Sequence, residues 1–265
     1  MYYYQAKRKP EDDQIHNELG AMAELHRSWG FWMMFHHLRL NSYQWNHKRV
    51  YRVYCDMHLN LRRKYKQRLP SRIKVPLIQP LHPNMNWSMD FMSDSLLVGR
   101  TFRTFNIIDD YNREALNITL DTSITSDRVI RQLEELISWR GKPEQIRVDN
   151  GPEFIAKAMQ NWSGDKEIEL VFIQKGKPTQ NAFVERFNRT YRQEVLNAYA
   201  FESLSQARAI TQAWMWIYNN ERPHSALGYL PPVTFMYRRA KNTNFPTLVK
   251  DDNLNLYSLI TNVAS

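Results

Sequence analysis

One cysteine, Cys55, stands in a chain of 265 residues. An internal disulfide is therefore excluded, and so is a cysteine-rich zinc site. No run approaches the ~18 consecutive apolar residues that a membrane span needs. The opening MYYYQAKRKPEDD has no apolar signal core, so the chain is expected to stay in the compartment where it is made. The eight histidines show no ligand spacing, and no GxSxG or Cys–His arrangement supports nucleophilic enzyme chemistry. Lys175-Gly176-Lys177-Pro178 lacks the leading glycine and the Ser/Thr of a phosphate loop, so nucleotide binding is not expected. Internal repeats and low-complexity segments are absent too. What remains is a soluble intracellular chain with ample core material, 43% hydrophobic and 13% aromatic.

Its charge is unevenly placed. Residues 1–80 hold 15 Lys/Arg against 6 Asp/Glu, whereas residues 81–265 hold 21 of each. The whole formal excess of +9 thus lies in the first third, as in a polyanion-gripping module joined to a neutral body.

The first part reads as three short helices. Ile15, Leu19, Met22 and Ala23 form an apolar stripe after the acidic Glu11-Asp12-Asp13, and Phe31, Met34, Phe35 and Leu38 form a second. Asn46 is placed to cap a third helix with Val50, Val53, Tyr54 and Met57 inward. Lys48, Arg49 and Arg52 then fall on its outer face, where a recognition helix keeps DNA contacts; a plain solvated basic face is the alternative. Residues 61–76 are basic and proline-punctuated, an extended linker in which Arg62, Arg63 and Lys64 would track a phosphate backbone.

From Trp87 the texture turns to strands. NWSMDFM is one, and FRTFNIIDD with REALNITL reads as a hairpin turned at Tyr111-Asn112. Helical residues 126–139 end at Gly141, and Gln145–Val148 runs straight into Asp149-Asn150-Gly151-Pro152. A strand over 169–173 precedes the basic loop holding Lys175 and Lys177. Helices over about 179–198 and 203–220 follow. The order implies a mixed α/β layer architecture.

Three acids are awkwardly placed. Asp90 sits among Trp, Met and Phe in a central strand, where an unpaired carboxylate is costly. Asp149 ends a strand where the chain turns, facing the crevice at the sheet's edge. On the helix, Val184, Phe187, Tyr191 and Val195 form the buried stripe, which leaves Asn181, Glu185, Asn188, Arg189 and Arg192 on another face. Glu185 either pairs with Arg189 one turn on or, with Asp90 and Asp149, supplies the hard oxygen ligands that Mg²⁺ prefers. Two such ions would serve in-line displacement at a phosphodiester, with the asparagines and arginines lying against DNA. Asp109 and Asp110 are read as closing the hairpin, although Asp109 is within reach of the same crevice.

The stretches WSMDF (87–91), VDNGPEF (148–154) and KPTQNAFVERFNRTYR (177–192) resemble the signature of the DDE transposases of bacterial insertion sequences, OrfB type, with a retroviral-integrase-like catalytic core. Thirty-five residues lie between Asp149 and Glu185, that group's spacing, and Arg192 follows Glu185 by seven, where the family has a basic residue. WGFWMMFHHLRLN and NHKRVYRVYCDMHLNLRRK are similar to the family's helix-turn-helix-like region, and YNNERPHSALGYLPP to its C-terminal signature. The His-His-Cys-Cys ligands of the retroviral N-terminal zinc domain are missing.

The resemblance implies a ribonuclease-H-like mixed five-stranded sheet flanked by helices, preceded by a small all-α helix-turn-helix-like domain. The expected division is a DNA-binding domain over 1–60, a basic linker over 61–80, the catalytic core over 81–240 and a tail over 241–265. It also implies catalysis by Asp90, Asp149 and Glu185 as ligands of two Mg²⁺ ions, with Mn²⁺ as substitute. The reaction would be cutting of element-end DNA and joining of its 3′-hydroxyl to a target. Expected partners are both DNAs, further copies of the chain, and an upstream OrfA-type partner or fusion. The place of action would be the bacterial cytoplasm, at the nucleoid. A non-catalytic DNA-binding protein descended from a transposase is the alternative.

Overall fold

The computed structural model describes residues 10–61, 79–174 and 178–243. They fall into two compact units, one of residues up to Pro70 with Arg222–Leu230, the other of Ser71–Glu221 with the remainder from Pro231.

The first unit holds α1 (Pro10–Leu25), α2 (Phe31–Leu40) and α3 (His47–Asp56). The three expected stripes meet in one core, in which Ile15, Leu19, Leu38, Val50 and Tyr54 are buried beside Trp29. Asn46 does cap α3, its side chain accepting from Lys48 N–H at 2.9 Å. The returning segment Arg222–Leu230 closes on itself through His224 and Leu230, and its Tyr229 stacks on His36.

The second unit is a five-stranded sheet with helices on both faces. Its strands are β1 (Asn86–Ser95), β2 (Thr101–Asp109), β3 (Ala115–Asp121), β4 (Gln145–Val148) and β5 (Glu169–Phe172), in the order β3-β2-β1-β4-β5. β1, β2 and β3 form an antiparallel meander, whereas β4 and β5 run parallel to β1. The parallel half needs helical crossovers. These are α4 (Ser126–Arg140) before β4, then α5 (Pro152–Ile155) and α6 (Lys157–Asp165) before β5. α7 (Ala182–Tyr191), α8 (Leu204–Asn220) and α9 (Pro232–Thr243) follow. Among the described residues no helix is long and apolar enough to cross a membrane.

Strand alternation sorts the two faces. Trp87, Met89, Phe105, Ile107, Ile146 and Val148 pack with α4, α5 and α6. Phe102, Ile108 and Leu120 pack with α7 and α8. Each large side chain buried this way contributes roughly 1.5–3 kcal/mol. By the same alternation Asn86, Ser88 and Asp90 of β1 and Thr104 and Asn106 of β2 share the second face. A polar strip thus crosses an otherwise apolar layer beneath α7.

The single helix expected over 179–198 is broken into three kinds of turn. A 3₁₀ turn (Pro178–Asn181) leads into α7, and a π turn (Arg192–Leu196) ends it. Tyr191, at the end of α7, and Val195 and Leu196, within the π turn, are all buried.

Candidate active site

β1 and β4 are parallel, with Ser88 level with Arg147. The pairing stops there, and two residues further on each chain stand Asp90 and Asp149, near enough that the Asp149 charge acts on Asp90. Asp149 lies just past the last residue of β4, where the chain turns sharply into α5 with Pro152 at its first position. Gly151 N–H donates to Asp149 Oδ1 at 2.9 Å. A methyl group at residue 151 would stand 2.9 Å from that same oxygen and 3.3 Å from Glu153 Oε2, so a side chain there would push the Asp149 carboxylate aside. Glu185 projects from the first turn of α7, which packs on β1 and β2.

The three carboxylates share one electrostatic neighbourhood. Asp90 is pushed up to about 6, chiefly because burial penalises its charged form, with Asp149 and Glu185 adding like-charge repulsion. Hydrogen bonds work the other way. Asp90 Oδ1 accepts from Phe91 N–H at 2.8 Å, and Oδ2 accepts from Asn188 Nδ2 at 2.7 Å. Asn188 is held in turn, its Oδ1 accepting from Asn106 Nδ2 at 2.7 Å. Asn106 stands opposite Asp90 in the β1–β2 register and is fully buried. A chain of side chains therefore runs from β2 through α7 to one oxygen of Asp90. Sequence reasoning missed Asn106; its signal was a lone amide in the run FRTFNIID.

Among the described residues no three His, Cys, Asp or Glu side chains converge on one metal position. The donor set nevertheless fits a hard divalent cation. Asp90, Asp149 and Glu185 offer anionic oxygens, and none of them forms an ion pair among the described residues. Mg²⁺ itself takes few protein ligands and keeps the rest of its octahedron for water and phosphate.

The expected DNA contacts are placed unevenly. Arg189 is exposed, one turn beyond Glu185. Arg192 instead ties α7 to β1, donating to Ser93 O at 2.8 Å and to Asp94 at 3.1 Å. Asn181 and Asn188 are buried, so they belong to the interior rather than to a DNA-facing surface. Asn188 falls four residues after Val184 and one after Phe187, on the core side of the helix. Lys48 is exposed, but Arg49 and Arg52 grip Asp12 of α1. Arg62, Arg63, Lys64, Lys175 and Lys177 lie outside the described residues.

Asp109 and Asp110 do close the β2–β3 hairpin. Both are fully buried and pushed up to about 6 by desolvation. Asp109 accepts from Asn84 and Tyr111 N–H groups. Asp110 Oδ2 accepts from Ser88 Oγ at 2.8 Å, from Arg147 at 2.9 Å and from Asn86.

Comparison with known proteins accords with this geometry. Two family models, both described as integrase core domain, match residues 80–178 and 166–232. The 31.7 kDa protein of insertion element IS407 from Burkholderia multivorans is 36% identical over 251 residues, 95% of this chain and 91% of that protein. The putative transposase InsD for insertion element IS2E of Escherichia coli is 25% identical over 205 residues, covering 74% of this chain and 94% of that protein. A chain of the simian T-cell lymphotropic virus intasome, solved in complex with the PP2A regulatory subunit B56 gamma, shares the fold. Its TM-score is 0.54 at 16% identity, over 82% of this chain and 75% of that one. The ribonuclease-H-like sheet is thus that of retroviral integrase cores. The chain belongs to the integrase-core family, among the DNA transposases of bacterial insertion elements.

Proposed function

We propose that this transposase cuts element-end DNA and joins the freed 3′-hydroxyl to a target at a site made by Asp90, Asp149 and Glu185. The observation that carries the reading is that Asp90 of β1 feels the like charge of both Asp149 and Glu185 and is hydrogen-bonded by Asn188 from the helix that carries Glu185. Asp90, Asp149 and Glu185 would hold two Mg²⁺ ions, with Mn²⁺ as substitute. When bound, these cations supply Lewis acidity to both oxygens of an in-line phosphodiester displacement.

The chain's own groups set the geometry. Asn106 and Asn188 fix the direction of the Asp90 carboxylate, and the Gly151 N–H fixes that of Asp149. Arg189, exposed one turn past Glu185, is suited to neutralise the backbone of the strand being cut. The helical unit over 1–60 would grip the element ends, aided by the basic residues of 61–80. Joining two ends to one target calls for more than one copy of the chain on DNA, and an upstream OrfA-type partner or fusion would extend the DNA contacts. The place of action would be the bacterial nucleoid.

The test is a strand-transfer assay with labelled duplexes carrying the ends of the element. Wild-type protein should join the 3′-hydroxyl to a plasmid target with MgCl₂ and not with EDTA. Joining that persists at full rate in EDTA would overturn the reading.

A further inference from the structure

In the helical unit charge is sorted by helix. α1 carries Glu11, Asp12, Asp13, Glu18 and Glu24 and no lysine or arginine. α2 and α3 carry Arg39, Lys48, Arg49 and Arg52 against a single acid, Asp56. A polyanion is therefore repelled from the α1 side and meets less opposing charge at α2–α3.

Two of those four bases are already committed. Arg49 Nε donates to Asp12 Oδ1 at 2.6 Å, and Arg52 donates to Asp12 Oδ2 at 2.7 Å. Arg49 also pairs with Glu11. Asp12 is only 6% exposed, so withdrawing either guanidinium to a phosphate would strand a buried carboxylate.

The same side exposes a different set of groups. Trp32 of α2 is 51% exposed and Tyr51 of α3 is 49% exposed. His47 and Lys48 are exposed on the first turn of α3, and Lys48 has no ion pair among the described residues. The Trp32 and His47 rings lie 6.1 Å apart at 28°, while Tyr51 is braced edge-on by Phe31 at 4.8 Å. Trp32 and Tyr51 are thus fixed from beneath by Phe31 and Phe35 while about half of each ring remains open to solvent on the less acidic side of the unit.

We infer that Trp32, His47, Lys48 and Tyr51 form the surface with which the helical unit reads duplex element-end DNA, and that Arg49 and Arg52 are an internal clamp between α1 and α3. This rests on the proposed action at element ends. His47 and Tyr51 bring hydrogen-bonding groups for base edges in the major groove. Trp32 brings an apolar surface for a thymine methyl, and Lys48 a charge for guanine or phosphate.

The experiment is fluorescence anisotropy of the full chain on an end duplex and a scrambled duplex of equal length, at fixed salt. The variants are Trp32→Ala, His47→Ala, Lys48→Ala, Tyr51→Ala and Arg52→Gln, with thermal unfolding and oligomeric state recorded for each. At least two of the four surface variants should lower end-DNA affinity about tenfold and bring the end-to-scrambled ratio towards one, without loss of Tm. Arg52→Gln should lower Tm while keeping the ratio. An unchanged ratio in all four surface variants overturns the inference. So does a change in oligomeric state alone, which would make the surface an interface between copies, or an abolished ratio at unchanged Tm in Arg52→Gln. Mg²⁺-dependent cleavage by the wild-type preparation is run beside it. Its absence counts against the proposed function, whereas its presence with an unchanged ratio counts only against this surface.

Discussion

Asn188 Nδ2 donates a 2.7 Å hydrogen bond to Asp90 Oδ2, joining the helix that carries Glu185 to the strand that carries Asp90. Because Asn188 is itself held by Asn106, the bond fixes which oxygen of Asp90 faces the crevice. Groups that orient metal ligands typically cost about 10–100-fold in affinity or activity when removed. Asn188→Ala should therefore slow end cleavage by about that factor and raise the Mg²⁺ concentration giving half-maximal rate. Asn106→Ala should act in the same direction through the same bond. A Mg²⁺ titration of single-turnover cleavage measures both, and wild-type Mg²⁺ dependence in both variants would count against positioning.

Asp90 also sets a conflict between stability and function. Its folded value, about 6, lies above the ordinary 3.8. The neutral form is thus favoured by the fold; its contribution is complete below pH ~4 and is lost as pH rises through about 6. At pH 8 without metal, the ionised group should cost on the order of 1–3 kcal/mol. Asp90→Asn should accordingly unfold at a higher temperature than wild type in EDTA at pH 8, with the gap closing near pH 4. MgCl₂ should raise the Tm of wild type more than that of the variant. Equal unfolding temperatures in EDTA at pH 8 would contradict this.

The same shift bears on metal binding. A cation must displace the proton from Asp90, and the ionised fraction falls roughly tenfold per pH unit below the folded value. The Mg²⁺ requirement for cleavage should rise steeply between pH 6 and pH 5. A requirement that stays flat over that interval would show that Asp90 is not in competition with protons.

Gly151→Ala addresses Asp149. The added methyl group would sit 2.9 Å from Asp149 Oδ1, so the carboxylate must move. Displacements near 1 Å can cost about a hundredfold in rate. Far-UV circular dichroism should be unchanged and cleavage should fall by roughly that factor. Full activity in the variant would mean that the Asp149 direction is unimportant.

Asp110 should matter to folding alone. It satisfies Ser88, Asn86 and Arg147 from β1 and β4 while fully buried. Asp110→Ala leaves Arg147 without its partner and should destabilise by roughly 3–5 kcal/mol in urea unfolding. A change below about 1 kcal/mol would show the network to be dispensable.

Much of this was readable along the chain, because local periodicity carries it. The stripes of α1, α2 and α3, the cap at Asn46, the strand through Asp90 and the turn after Asp149 all rest on neighbours within a few residues. What was misread depends on distant partners. Asn188 is polar and so reads as outward, yet it lies on the buried side of α7 because Asp90 and Asn106 are there to bond it. Arg49 and Arg52 read as free charges because Asp12, their partner, is 37 and 40 residues away in sequence. Arg192 falls where a DNA contact is expected but meets Asp94 and Ser93 of β1, 98 and 99 residues away in sequence. Helical periodicity likewise gave no sign of the π turn after Tyr191.

The most direct measurement is single-turnover cleavage of an end duplex by wild type, Asp90→Asn, Asp149→Asn and Glu185→Gln, with DNA affinity measured on the same preparations in Mg²⁺. All three variants should fall to background cleavage while binding the duplex with near wild-type affinity. Substantial cleavage by any one of them, or loss of cleavage only in step with loss of binding, would contradict a catalytic site built from these three carboxylates.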